Sequence, residues 1–306
     1  MEKKQTKQDD KFSSLITLFA VIIAVIFVLY DEGIISIPWL DRLNEATEIV
    51  SDGNVRVHFI DVGQGDCELI VADDGTAMLI DAGESEYGAT VVKYITDLGI
   101  THLDYVIVTH PHSDHMGGMA TVILSDLTIG KIIIPKIPDE FVPTTRTFEG
   151  FLDAVSDKGC KLTSAKTSTF ELGSGTVTLF VTDYDGDNLN NYSVVTRFDF
   201  KDSSFLFTGD IEKKIEKKLL LAGCELDADV LKVAHHGSDT SSSKEFIKQV
   251  NPEICVIECG DHSYNHPHSD TVKLLKKYTE YIMRTDVNGN VIVTTDGNTI
   301  EYTTEK

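Results

Sequence analysis

The sequence has no CxxC pair, no internal repeat and no low-complexity tract. Its five cysteines, Cys67, Cys160, Cys224, Cys255 and Cys259, are odd in number and imply no disulfide framework. Cys255 and Cys259 lie four positions apart in an expected strand and its exit, where buried thiols are the expectation. A basic stripe is missing as well. Lys213-Lys214, Lys217-Lys218 and Lys276-Lys277 are short clusters that read as solvated helix faces. The formal net charge of -22 disfavours non-specific adhesion to polyanions such as nucleic acids.

Charge of either sign is absent over residues 12–30, where Leu, Ile, Val, Phe and Ala dominate. At about 1.5 Å per residue a helix of this length crosses a hydrocarbon layer of about 30 Å, so 12–30 is expected to be a membrane anchor. Lys3, Lys4, Lys7 and Lys11 precede it, and Asp31 and Glu32 follow. The positive-inside tendency therefore makes 1–11 a cytoplasmic tail and puts the rest outside a cell membrane crossed once. A cleaved signal peptide is disfavoured because the run is long and Val28-Leu29-Tyr30 is bulky. Residues 31–53 read as a connector, with Trp39 near the interface, and 54–306 as the extracytoplasmic domain.

Alternation and turn residues predict strands at 55–60, 67–71 and 77–80, a helix at 88–98 ending at Gly99, then strands at 105–108 and 129–134. A helix at 147–158 is followed by strands near 160–164, 176–182, 193–200 and 204–208. The remainder reads as helix 211–221, strand 230–234, helix 242–250, strand 254–258 and helix 271–278. Strands at 281–284, 290–295 and 299–303 close the chain, joined by Asn288-Gly289 and Asp296-Gly297 turns. Hairpins and strand–helix units alternate in both halves, which implies one α+β domain with two mixed sheets.

Directly after the apolar run 105–108 comes Thr109-His110-Pro111-His112-Ser113-Asp114-His115. Residues i and i+2 of an extended segment face one side, so His110 and His112 can converge on one ion, with Pro111 holding His110 extended. Asp114 and His115 fall where the chain turns, and can face a second ion. Imidazole nitrogen with carboxylate oxygen suits zinc, manganese or iron better than calcium. The bland alternative is a His-rich surface loop.

Other polar groups close further strands. Asp81 follows 77–80. Asp210 follows 204–208, as a helix N-cap or as a metal ligand. His235-His236-Gly237-Ser238 follows 230–234 and suggests a ligand beside an acid or anion contact. His262 with Tyr264-Asn265-His266-Pro267-His268 follows 254–258, although Ser269-Asp270 there could merely cap the next helix.

The HxHxDH motif at 110–115, with Asp81, Asp210 and His236, resembles the metallo-β-lactamase superfamily. Asp61-Val62-Gly63-Gln64-Gly65-Asp66, Asn190-Asn191-Tyr192-Ser193, Thr208-Gly209-Asp210, His235 to Ser238 and His266-Pro267 narrow it to the extracytoplasmic hydrolase-like domain of ComEC-type competence proteins. This resemblance spans residues 55–303 and implies a four-layer αββα sandwich with two divalent ions, zinc or manganese, at one edge. By the same resemblance His110 and His112 hold the first ion, Asp114, His115 and His236 the second, and Asp210 bridges them, while Asp81 orients a ligand from behind. His235, Ser238 and His266 are candidates for contacting substrate. Many members supply a third His to the first metal; the matching region here reads Asn190-Asn191, a trait of the ComEC-type subfamily that leaves this site more open and adds both residues to the substrate candidates.

Two such ions imply hydrolysis by a metal-bound hydroxide, with Asp114 or His235 moving protons. The implied substrate is a phosphodiester, DNA by the competence resemblance, in DNA uptake or processing. The acidic balance favours a small phosphoester of phosphorylcholine type, and a non-catalytic membrane-tethered binding module is the reading from another class.

Overall fold

The computed structural model describes residues 53–306. The expected tail 1–11, anchor 12–30 and connector 31–53, save its last residue, lie outside the described residues. Among the described residues no helix is long and apolar enough to cross a membrane.

Strands β1 (Val55–Phe59), β2 (Glu68–Val71) and β3 (Ala77–Ile80) pair antiparallel in succession. Helix α1 (Gly88–Asp97) then crosses over to β4 (His102–Ile107), which joins β3 in parallel. After the short helices α2 (Ser113–Met116) and α3 (Met119–Leu124) comes β5 (Thr128–Ile134), and after α4 (Arg146–Lys158) comes β6 (Lys161–Ser164), both parallel to their neighbours. The second half repeats this plan. An antiparallel meander of β7 (Ser168–Leu172), β8 (Gly175–Phe180), β9 (Val195–Phe200) and β10 (Ser203–Phe207) leads through α5 (Lys213–Ala222) to the parallel strand β11 (Val230–Lys232). Helices α6 (Lys244–Val250) and α7 (Ser269–Leu275) connect onward to β12 (Ile254–Ile257) and β13 (Tyr281–Arg284). The chain ends with α8 (Thr285–Asn288) and the hairpin β14 (Val291–Thr295) and β15 (Ile300–Thr304), which returns to pair with β1. The first sheet thus has eight strands and the second seven.

Alternation along the strands sorts side chains into three cores. Ile70, Met78 and Ile80 point between the sheets and meet Phe198, Phe205 and Phe207. Their neighbours Leu69 and Leu79 point the other way, against Val91 and Ile95 of α1, Val122 of α3 and Phe151 of α4. Leu206, Leu231 and Cys255 pack under Ile215 and Leu219 of α5, Phe246 of α6 and Leu275 of α7. Strands buried on both faces read as unbroken apolar runs, as in Ala77–Ile80. Helix, sheet, sheet and helix make the four layers that the family resemblance implies, around the two mixed sheets expected from the order of elements.

Three expectations are corrected. Ser168–Leu172 was not anticipated as a strand; it is the edge of its sheet and mostly exposed, so it carries little apolar alternation. The last strands are not all joined by hairpin turns, because β13 belongs to the second sheet and β14 to the first, with α8 and Gly289 at positive φ carrying the chain across. The helix expected at 211 starts at Lys213, where Glu212 holds the N-cap position; Asp210 caps nothing.

Candidate metal centre

Both halves bring side chains to one place, the carboxyl ends of strands where pairing changes from antiparallel to parallel. In the first half these are β3 and β4, in the second β10 and β11. Chain that leaves such ends need not continue a ladder, so its side chains are free for a site.

Asp81 follows β3 with φ of 54°, a region few non-glycine residues adopt. The carboxylate that this turn presents is fully engaged. Thr109 donates to it from its amide at 2.8 Å and from its hydroxyl at 2.5 Å, and His115 Nδ1 stands 2.7 Å from Oδ2. His112 is extended at the N-terminus of α2, and the ring nitrogens His110 Nε2 and His112 Nδ1 face each other at 3.0 Å. Behind His110, Nδ1 lies 3.1 Å from the Thr109 hydroxyl and 3.3 Å from that of Ser193, which also accepts from the Asp210 amide. Asp114 and His115 occupy the single turn of α2.

That turn is pressed onto the loop between β1 and β2 and onto the segment that follows β3. The Asp66 amide donates to Asp114 O at 3.1 Å, and Ala82 to His115 O at 2.7 Å. A Cβ on Gly65 would come within 2.2 Å of Asp114 O, and one on Gly118 within 2.3 Å of Ala82 O. Only glycine permits so close an approach.

From the second half, Asp210 follows β10, and His235 and His236 sit in the turn Ala234–Gly237 with φ of 53° and 52°. Adjacent left-handed residues without glycine are costly and persist where the surroundings demand them. Asp210 Oδ2 is the common point of the centre. It lies 3.3 Å from His115 Nε2, 3.7 Å from His236 Nε2, 3.7 Å from His235 Nε2 and 3.9 Å from His110 Nε2. Asp114 Oδ2 lies 3.3 Å from His236 Nε2 and 3.9 Å from His115 Nε2.

Asp114, His115, Asp210 and His236 therefore form a cluster of possible metal ligands. The geometry fits a cation: two donors each about 2.0–2.1 Å from a tetrahedral zinc ion lie about 3.3–3.5 Å apart, close to the spacings seen. His115 Nε2, His236 Nε2 and Asp210 Oδ1 are buried without a hydrogen-bond partner, which is costly unless something else binds them. The electrostatics agree. Burial opposes charge on His115 and His236, yet the surrounding carboxylates, Asp210 foremost, hold His115 well above its ordinary value and push His236 up to about 10. Burial works against the Asp210 and Asp114 anions too, and is overcome by His115 and His236, so both stay well below the carboxylate range. Protons on two histidines thus supply positive charge that a divalent ion would replace, with release of those protons. His110, by contrast, is held low, first by burial and then by His115.

The remaining sequence candidates divide. His235 opens onto the centre, its Nδ1 3.1 Å from the Thr240 hydroxyl and its Nε2 3.4 Å from Asn190 Nδ2. The His266 ring stands 5.5 Å from that of His235 and 6.3 Å from that of His236. Ser238 is buried, with its hydroxyl 3.1 Å from that of Thr240 and its amide donating to His235 O at 2.8 Å. Asn191 is turned away: its amide donates to Glu212 Oε2 and its Oδ1 accepts from the Glu212 amide. Sequence reading assigned no role to Asp66, Lys232, Ser193 or Thr109. Asp66, Thr109 and Ser193 fall within the motifs that carry the family resemblance, and the signal for Lys232 is a lysine within an otherwise apolar strand.

Comparison with known proteins supports the same reading. The chain is 29% identical over 262 residues to "ComE operon protein 3" of Bacillus subtilis (strain 168), covering 77% of this chain and 32% of that protein. It is 27% identical to "Competence protein ComA" of Neisseria gonorrhoeae over 282 residues, 89% of this chain and 38% of that one. It thus spans only about a third of the length of these relatives. The crystal structure of CmlA, a diiron β-hydroxylase from Streptomyces venezuelae, superposes with a TM-score of 0.52 at 16% identity, over 79% of this chain and 54% of that one, a likeness of fold. The model of the Metallo-beta-lactamase superfamily matches residues 60–260, from the end of β1 past β12, and the chain belongs to that superfamily.

Proposed function

We propose that the protein is a membrane-anchored, metal-dependent hydrolase, with its domain over 54–306 held outside the membrane by the span 12–30, and that it cleaves phosphodiesters, DNA among them, in DNA uptake or processing. One observation carries the hydrolase reading: Asp114, His115, Asp210 and His236, from both halves, bring possible ligand atoms within 4.8 Å of one another, and His115 Nε2, His236 Nε2 and Asp210 Oδ1 have no hydrogen-bond partner. The likeness to "Competence protein ComA" supports a link to competence, for which DNA is the substrate we infer. In this reading Asp114, His115, Asp210 and His236 hold one divalent ion and His110, His112 and Asp210 another. Zinc or manganese held there would polarise a phosphoryl oxygen and acidify water.

The chain's own residues supply the rest. Asp81 and Thr109 fix the His115 ring, and Ser193 ties His110 to the Asp210 backbone. His235, part-exposed beside Asp210, is placed to move a proton at Nε2. Asn190 and His266 border it and are placed to position the substrate. The acidic balance favours the second reading, a small phosphoester, because the chain as a whole carries -22 and a long polyanion would be repelled by it.

The test uses the full chain in detergent, loaded with manganese or zinc and offered single-stranded DNA, bis-p-nitrophenyl phosphate and an acyl ester. We expect cleavage of both phosphodiesters. Asp210→Ala should lose more than the about 10- to 100-fold that mutation of a residue supporting a ligand costs. Cleavage of the small diester without DNA selects the second reading. If no substrate is cleaved and Asp210→Ala behaves as wild type, the domain is a binding module. Protease added to intact cells should remove the domain; protection would overturn its outside placement.

A further inference from the structure

Beneath the metal centre lies a second layer of charge. Lys232, the last residue of β11, is fully buried, as are Asp66, Glu68 and Glu258 around it. Its ammonium contacts Asp66 Oδ2 directly. From there the Asp66 carboxylate reaches the back of both central histidines, with Oδ1 3.2 Å from His236 Nδ1 and Oδ2 3.6 Å from His115 Nδ1. The His236 Nδ1 proton itself goes to Glu258 O at 3.0 Å and His115 Nδ1 is bound by Asp81, so Asp66 acts on the two rings through its charge and its bulk. The Asp66 backbone is fastened to the same ligands' loop: its amide donates to Asp114 O, and its carbonyl accepts from Gly83 at 2.9 Å. Lys232 is tied to the other side, where its carbonyl accepts from the Thr208 hydroxyl at 2.7 Å, two residues before Asp210. Asp66 belongs to the first half of the molecule and Lys232 to the second.

We propose that Asp66 and Lys232 form a buried clamp between the halves, a pair of positioning residues that sets the spacing of Asp114 and His115 against Asp210 and His236 and thereby the affinity of the centre for its divalent ion. The inference rests on the metal-binding part of the reading above. Stability alone does not account for the pair, since a buried ion pair is often replaceable by apolar residues without loss. Its location does: no other charged pair touches the back nitrogens of ligands from both halves among the described residues. The Lys232 ammonium also offsets carboxylates that would otherwise compete for the ion, and it holds Asp66 down to about 2 against the opposing effect of burial.

The test measures binding of zinc and of manganese alone, by competition with a chromophoric chelator, and melting of the chelator-treated full chain in detergent. The proteins compared are wild type, Asp66→Asn, Lys232→Met and the double variant. We expect Asp66→Asn to weaken metal affinity about 10- to 100-fold, as loss of a partner behind a ligand does. The double variant removes both charges together, so it should recover most of the melting temperature lost by Lys232→Met while its metal affinity stays low. A merely structural pair would move melting and affinity together. Wild-type affinity in either Asp66→Asn or the double variant overturns the clamp. No substrate is used, so metal binding that depends on Asp66 supports the clamp even where nothing is hydrolysed. A wild-type chain that takes up neither metal overturns the metal reading and the clamp with it.

Discussion

The two halves of the domain build the same arrangement, an antiparallel meander passing into parallel strands with helical crossovers, yet they supply the centre differently. The first half delivers His110, His112, Asp114 and His115 from one loop and a single helical turn. The second delivers Asp210 and His236 from two separate strand ends, and needs two adjacent residues in the left-handed region to do so. Local ligands come with their spacing set by the chain itself. Ligands from distant strands have theirs set by sheet packing, so the second half's contribution depends on the whole fold.

This contrast can be broken at the ligands first. His236→Ala removes a group that approaches both Asp114 and Asp210, whereas His112→Ala removes one whose ring nitrogen meets His110 in the local loop. Titration with zinc should show His236→Ala losing more than about 100-fold in affinity and His112→Ala about tenfold, on the scale of ligand-support losses. Equal losses would mean that the halves contribute alike. The packing that registers one half on the other comes next. Phe59 of β1 and Phe207 of β10 stack across the sheets with ring centres 6.0 Å apart. Phe207→Ala should cost about 3–5 kcal/mol in denaturant unfolding, and should weaken the centre's metal affinity as well, because Asp210 lies three residues beyond.

A further effect belongs to the first half alone and needs no metal. His58 of β1 is buried against the Tyr94 hydroxyl at 2.9 Å, and burial, with Arg56 adding to it, holds its pKa at about 4 instead of 6.5. The unfolded chain takes up a proton below pH 6.5 that the folded chain refuses until about pH 4. Stability from this group is therefore complete above pH 6.5 and is lost as the pH falls toward 4, up to about 3 kcal/mol. Unfolding midpoints at pH 7 and pH 4.5 should differ less in His58→Gln than in wild type. An unchanged difference would move the acid sensitivity elsewhere.

The same contrast explains what could be read from the sequence. His110, His112, Asp114 and His115 are neighbours in the chain, so their convergence follows from local geometry. Asp210 by itself reads as either a cap or a ligand, and the position of Glu212 at the start of α5 removes the cap. Asp66 and Lys232 lie 166 residues apart, and nothing in either segment announces that they meet in the interior. Strand β7 was missed for an opposite reason: an edge strand with one buried residue has almost no pattern to read.

The glycine contacts behind the turn that carries Asp114 and His115 have a consequence for redesign. With Gly65 against Asp114 O and Gly118 against Ala82 O, the loop has no slack in which to drift. Its chemistry can be edited by exchanging one donor atom for another, but its gauge cannot. Ions that demand a wider cage would have to be courted with longer side chains, because the rails beneath them are already touching.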